Sequence, residues 1–186
     1  MKPQDKKDFP VAKIRRFLEP GPVVLVSSAF EGRQNIMAMG WHIVMEFQPA
    51  LIGCIIAASN HSFDLIRRSK FCVINIPTVA LAAKVVGIGN CSGRDTDKFA
   101  EFRLTATPAV KVGAPLIAEC YANFECRLAD PSLIDKYNLF IFEVVKAHVA
   151  SAPKYPKTIH YRGEGVFMIS GENTSRYRPR FRPENL

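Results

Sequence analysis

A mainly β domain of antiparallel strands with a few short helices is predicted by three observations. Val23-Val24-Leu25-Val26-Ser27-Ser28-Ala29-Phe30 reads as a strand buried on both faces, and Ala118 to Leu128 shows a clear period of two. Strand-like runs also outnumber helical ones, with no regular alternation between them. A doubly wound parallel sheet needs a helix after each strand, so a closed or split antiparallel barrel is the expected architecture. The 186 residues suit a single domain, 1–186, with an N-terminal arm over 1–19 and a basic tail over 172–186.

Residues 11–19 read as a short helix or arm, ended by Pro20-Gly21-Pro22. After the strand to Phe30, Glu31-Gly32-Arg33-Gln34 is a turn, and Asn35 to Trp41 is the returning strand. Leu51 to Ala58 is another apolar strand. His61 to Ser69 places Phe63, Leu65 and Ile66 at helical spacing, with Arg67 and Arg68 outside. Lys70 to Ile76 is a strand closed by Pro77, Val79 to Ile88 is helical, and Asp97 to Phe102 adds a helical turn. Pro108 to Pro115 is a proline-bounded connection. In Ala118 to Leu128, Cys120, Ala122, Phe124, Cys126 and Leu128 are expected on one face, with Tyr121, Asn123, Glu125 and Arg127 on the other. Asn138 to Val149 is a long strand that pairs with it, and Gly163 to Ile169 is a last short one.

Composition narrows the function classes. Hydrophobic content of 48% and charged content of 23% are normal for a soluble globular protein. No apolar run reaches membrane-spanning length, and no apolar segment follows Met1-Lys2-Pro3, so a cytoplasmic protein without a signal peptide is expected. Five cysteines without a Cys-x-x-Cys pair argue against both a zinc site and a disulfide framework. The net charge of +8 is concentrated at the two ends. The tail Arg176 to Arg182 lacks any zinc-finger, helix-turn-helix or RNA-binding sheet signature, so nucleic acid is not the expected partner.

The stretch Ser92-Gly93-Arg94-Asp95-Thr96-Asp97-Lys98-Phe99 holds the ingredients of a phosphate site: a hydroxyl, glycine-freed N–H groups, and two cations of different reach. An ordinary solvated turn before a helix has the same composition. Ser59-Asn60-His61-Ser62, between a buried strand and a helix, is suited to helix capping or to anion binding. Together the two loops would supply two N–H-rich segments and two cations, a set that suits a phosphate of about two charges. Asn35 and Trp41 stand six apart, an even spacing that puts an amide and an indole on one side of a strand. They fit a planar heterocycle, or a turn-closing amide and a core tryptophan. Gly87-Ile88-Gly89-Asn90-Cys91-Ser92 lacks the final glycine of a dinucleotide fingerprint and follows no strand, which excludes that reading.

Taken in order, Pro22-Val23 to Ser27-Ser28, Asn35-Ile36-Met37 with Trp41, Ser59 to Ser62, Phe71-Cys72-Val73-Ile74-Asn75-Ile76-Pro77, and Ser92-Gly93-Arg94 with Asp97-Lys98-Phe99 resemble the flavin reductase-like family, its flavoredoxin-type members above all. The resemblance runs from about Pro20 to Gly171. It implies an FMN-binding split β-barrel that forms a homodimer. It also implies FMN contacts from Asn35, Met37, Ala38, Trp41, Ser62 and Lys98, with Ser59, Ser92, Gly93 and Arg94 around the phosphate. The chain departs from the pattern at three positions. Tyr137 stands where flavoredoxin-type members carry a flavin-contacting histidine, and His160 where they carry a phenylalanine; Ala38 replaces a frequent Thr or Ser.

The implied function is an oxidoreductase whose bound FMN takes electrons from NAD(P)H and passes them to a flavin or another acceptor. No protein nucleophile is then needed, because the flavin carries the chemistry. The alternative is a flavin electron carrier reduced by a redox protein donor, without nicotinamide turnover. A non-catalytic flavin-binding or nucleic-acid-associated barrel that uses the basic tail is the reading from a different class.

Overall fold

A computed structural model describes residues 21–182; the arm expected over 1–19 lies outside the described residues. The chain forms β1 (Val24–Phe30), β2 (Arg33–Met39), β3 (His42–Phe47), β4 (Ala50–Ile55), α1 (His61–Ser69) and β5 (Phe71–Ile76). A 3-10 turn at Val79–Leu81 leads into α2 (Ala82–Gly89), followed by α3 (Lys98–Glu101), β6 (Ala106–Thr107) and β7 (Leu116–Ile117). Then come β8 (Ala122–Asp130), α4 (Ile134–Tyr137), β9 (Leu139–Val149), β10 (Ile159–Tyr161) and β11 (Phe167–Ile169). The mainly β class is therefore as expected.

Seven strands make one antiparallel sheet in the order β2-β1-β5-β8-β9-β4-β3. Its two edge strands, β2 and β3, are consecutive in sequence and joined only by Gly40 and Trp41. A flat sheet of seven strands would hold its edges about 29 Å apart, whereas that link spans at most about 11 Å. The sheet must therefore curl until its edges meet at one corner, where the Ile55 N–H donates to the Trp41 carbonyl at 3.0 Å. No ladder joins β2 to β3, so the barrel is split rather than closed.

β1 is apolar on both faces because both faces are covered. Val24 and Val26 meet Met37, Met39, Cys54, Cys72, Phe140 and Phe142 inside the curl, which α1 plugs with Phe63 and Ile66. Val23 and Leu25 point outward into a second cluster with Ile36, Leu81, Val85, Ile88 and Ile117. The second cluster seats α2 against β2, and this fixes the position of the loop after α2. α1 is capped by the Asn60 side chain, which accepts from the Ser62 N–H at 3.2 Å, and is ended by Lys70 in the left-handed region at φ 67°.

Four expectations change. β3 went unread because its sequence lacks alternation; Ile43, Val44, Met45 and Phe47 are all exposed. β2 stops at Met39, which leaves Trp41 in the corner link and more than half exposed, not in the core. Residues 163–165 form a turn rather than strand, so only Phe167–Ile169 pairs, with a β10 that the sequence did not suggest. Cys120 and Cys126 do not share an environment. Cys120 precedes β8 and joins the outer cluster, while Cys126 is inside the curl. Asn123 and Glu125, on the other face of β8, are buried as well. They are tolerated because each is hydrogen-bonded. Asn123 donates to Asn75 at 2.7 Å, and the Glu125 carboxylate accepts from the Val110 and Lys111 N–H groups and pairs with His148.

Candidate functional site

Three cavities follow one another along β2. The first, about 700 Å³, is bounded by Arg33, Gln34, His61 and Arg94. The second is small, about 160 Å³, and polar, with Asn35, Cys91, Ser92 and Lys98 in its walls. The third, about 480 Å³, is mostly apolar and runs from Ala38 to Trp41 beneath Val85, Tyr161 and Phe167. His61 and Gly93 are common to the first and second, and Ala38 and Gly89 to the second and third. A Cβ on Gly89 would lie 3.7 Å from the Ala38 methyl, so the passage between polar and apolar ends crosses two very small residues.

Lys98 dominates the polar end. It opens α3, whose N-terminus is capped by Asp97 accepting from the Phe99 and Ala100 N–H groups at 3.0 and 3.2 Å. That cap turns the lysine side chain inward, where only 5% of it is exposed. Its ammonium donates to the Ile88 carbonyl at 2.8 Å, at the C-terminal end of α2. Among the described residues no carboxylate pairs with it. Burial pulls its pKa below that of an ordinary lysine, with the neighbouring Cys91 acting in the opposite direction. A buried charge without a counter-charge costs several kcal/mol, so this is where an anionic ligand gains most. Positive charge continues outward. His61 is held below its ordinary pKa, first by burial and then by Arg94 and Arg33, with Lys98 adding to them and Asp64 opposing. The shift disfavours the charged imidazole, and the cations that face the two connected cavities are Lys98, Arg33 and Arg94.

Asn35 is the second unusual group. It is 2% exposed, and its amide N–H donates to Ser62 Oγ at 2.8 Å. Its Oδ1 is the one buried side-chain oxygen or nitrogen among the described residues without a partner. The loop after α2 comes so close that a Cβ on Gly93 would lie 2.0 Å from that oxygen, so only glycine permits the approach. Ser62 stands behind Asn35; its hydroxyl also accepts from Ser28 Oγ at 3.4 Å. Arg94 ties the two loops together by donating to the Ser59 carbonyl at 3.2 Å.

The apolar end is built by packing. Val85 and Val86 of α2 form one wall, and the β10–β11 hairpin forms another, with the Tyr161 and Phe167 rings 5.2 Å apart and the Gly165 N–H donating to the Tyr161 hydroxyl at 3.1 Å. Trp41 closes the far side.

Of the residues expected at a site, Asn35, Met37, Ala38, Ser92, Gly93 and Lys98 meet in the polar cavity, Arg94 faces the outer one, and Trp41 bounds the apolar one. Ser59 takes part through its carbonyl and Ser62 by orienting Asn35. Tyr137, at the end of α4, and His160 border none of these three cavities. The His160 ring instead bonds Thr158 Oγ1 at 2.8 Å. Its neighbour Tyr161 faces the cavity, since successive residues of a strand point to opposite sides. Arg33, Tyr161 and Phe167 were not anticipated: Arg33 was in view only as a turn residue, and nothing local marked the hairpin. His61 was in view only within the Ser59 to Ser62 junction, suited to capping or anion binding.

Among the described residues no group of three or more His, Cys, Asp or Glu side chains is placed to hold a metal, and no helix is long and apolar enough to cross a membrane. The sequence pattern of the flavin reductase like domain matches residues 15–167. An uncharacterized Escherichia coli protein, YddH, is 33% identical over 175 residues, covering 86% of this chain and 92% of its own length. Among solved structures, the FMN-binding domain of a flavin reductases-like enzyme from Shewanella baltica is 29% identical, with a TM-score of 0.76, and the alignment covers 90% of this chain and 95% of that one. Flavoredoxin of Desulfovibrio vulgaris is 25% identical, with a TM-score of 0.77, over 84% of this chain and 90% of its own.

Proposed function

Because the chain belongs to the flavin reductase-like family, we propose that it holds FMN along β2 and works as an oxidoreductase, taking electrons from NADH or NADPH and passing them to a flavin or another acceptor. The observation that carries this reading is the buried Lys98 ammonium, without a carboxylate, in the polar cavity that opens past Ala38 and Gly89 into the apolar one. Lys98, Ser92 and the Gly93 backbone would hold the phosphate, with Arg94 at its outer side. Asn35 has an unpartnered acceptor for a donor group of the ligand. Val85, Tyr161, Phe167 and Trp41 would flank the ring system, and the cavity of about 480 Å³ lies within the usual range for small-molecule sites, about 300–1,000 Å³. When bound, the flavin supplies hydride or single-electron chemistry. The protein's part is to bind, orient and exclude water, which agrees with cavity walls that hold no acid–base dyad.

The exposed strip of Trp41 in the corner link with Ile43, Val44, Met45 and Phe47 on the edge strand β3 supports a homodimer, since a second copy of the chain would cover it. A cytoplasmic location goes with this redox role.

The absorbance spectrum of the purified protein tests the cofactor, and flavin peaks are expected. Stopped-flow mixing of the FMN-loaded protein with NADH and NADPH tests the donor. Loss of the flavin band with at least one is expected, and no bleaching with either would sink nicotinamide dependence. A second reading, an electron carrier fed by an acidic redox protein, is favoured by one observation. Arg176, Arg178, Arg180 and Arg182 form an exposed basic tail around Tyr177, with the Arg176 and Arg180 guanidinium carbons 5.7 and 5.6 Å from its ring. That reading predicts reduction by a ferredoxin but not by nicotinamide.

A further inference from the structure

We propose that Cys91 is a peroxide- and electrophile-sensitive thiol whose modification closes the polar cavity to an anionic ligand. Four of the five thiols are buried: Cys54, Cys72 and Cys126 inside the curl, and Cys120 beneath the outer cluster. Burial pushes the Cys120 thiol up to about 12 and raises Cys54 and Cys72 well above the ordinary thiol range. Only Cys91 is partly exposed, and it opens into the cavity of about 160 Å³ that also holds Lys98 and Asn35.

Its surroundings differ from those of a solvated surface thiol. Cys91 Sγ lies 4.0 Å from the Ile88 carbonyl oxygen, and the Lys98 ammonium donates to the same oxygen at 2.8 Å. Thiol and cation thus converge on one atom. Asn35, 2% exposed, brings its unpartnered Oδ1 to the same walls. The cavity therefore combines an uncompensated cation, an unpartnered amide and the one accessible thiol.

The chemistry is a two-electron oxidation by hydrogen peroxide. The thiolate sulfur attacks one peroxide oxygen, an S–O bond forms and the O–O bond breaks. Sulfur loses two electrons, and the departing hydroxide takes a proton to become water. The sulfenic acid product adds an oxygen to a cavity barely larger than a few waters. Ionised, it also gives Lys98 an anion of its own. A phosphate then competes with it both for space and for the cation. Small alkylating agents act in the same way by filling the cavity.

The competition with flavin rests on the FMN reading, but the selectivity of the thiol does not. Flavin-free full-length protein is treated with iodoacetamide or, separately, with hydrogen peroxide followed by dimedone, and each cysteine peptide is quantified by mass spectrometry. Cys91 should label at least about tenfold faster than any other thiol, and inorganic phosphate and FMN should each slow it. Treated wild-type protein should bind FMN at least about tenfold more weakly, while FMN binding by Cys91→Ser should no longer respond to peroxide. Labelling of Cys91 at the rate of the buried thiols overturns the proposal, as does selective labelling that neither phosphate nor FMN slows. An FMN titration of untreated protein decides the cofactor separately. If that fails while phosphate still protects Cys91, the thiol site stands and the flavin reading falls.

Discussion

Two buried polar clusters, each centred on an asparagine of one of the two strands that flank β1, are built to opposite rules. Around Asn75 every group is spent. Its amide donates to the Leu25 and Val73 carbonyls and to Ser27 Oγ at 3.0 to 3.1 Å, and its oxygen accepts from the Ile117 N–H and from Asn123. Ser27 in turn donates to the Pro115 carbonyl. This network ties β1, β5, β7 and β8 into one block. Around Asn35 the accounts stay open, with one amide oxygen unpartnered and, beside it, a buried ammonium that has only a carbonyl for company. A satisfied network specifies the fold; an unsatisfied one leaves groups that a ligand could complete.

Substitutions can break or sharpen this contrast. The largest effect is expected from Asn75→Ala, which orphans the Ile117 N–H and takes one partner each from Ser27 and Asn123 in a fully buried cluster. A loss of about 3–5 kcal/mol is predicted from urea unfolding of flavin-free protein, and a loss below about 1 kcal/mol would mean that the network is not structural. Lys98→Met should do the reverse. FMN binding should weaken on the order of 100-fold in a fluorescence titration, while flavin-free stability holds or rises because a lone buried charge is removed. Equal damage to both would erase the distinction between the clusters.

Ala38→Leu tests the passage between the cavities. It should weaken FMN by about tenfold through overpacking at Gly89 yet leave protection of the polar cavity by inorganic phosphate intact. The smallest effect belongs to a third, peripheral cluster. Burial alone would raise the pKa of Glu125, but bonds from His148 and from the Val110 and Lys111 N–H groups outweigh it and hold the carboxyl below its ordinary value. A depressed carboxyl contributes stability above its unfolded pKa and loses it as pH falls through the folded one. Glu125→Gln should therefore cost on the order of 1 kcal/mol at pH 7, and the gap to wild type should shrink as the pH is lowered past about 4. A gap that does not change with pH would show that charge plays no part there.

What was legible in the sequence follows the same division. β1 could be read because a strand covered on both faces must be apolar on both, and the Ser92 to Lys98 stretch because phosphate chemistry needs those residue types close together. Asn75 was noticed only as part of a motif, since its partners outside its own strand come from three other segments. The face of Asn123 and Glu125 was legible but their burial was not, because alternation reports side-chain direction, not what a later loop covers. Tyr161 was missed by one position, and a one-residue offset in a strand moves a side chain to the other face. β3 was unreadable for the opposite reason: an apolar strand left uncovered in one chain has no polar face to set its period.

The corner where β2 meets β3 has one more consequence. The edges there are joined by Gly40 and Trp41 and not by a ladder, so the seam can widen without breaking a strand-to-strand hydrogen bond. It is the cheapest place for the barrel to open, and the apolar cavity lies against it. A ligand lodged there acts as a clasp. At a free concentration one hundred times its Kd it would add about 2.7 kcal/mol to the folded state, so the melting temperature of the protein would track the free concentration of that ligand.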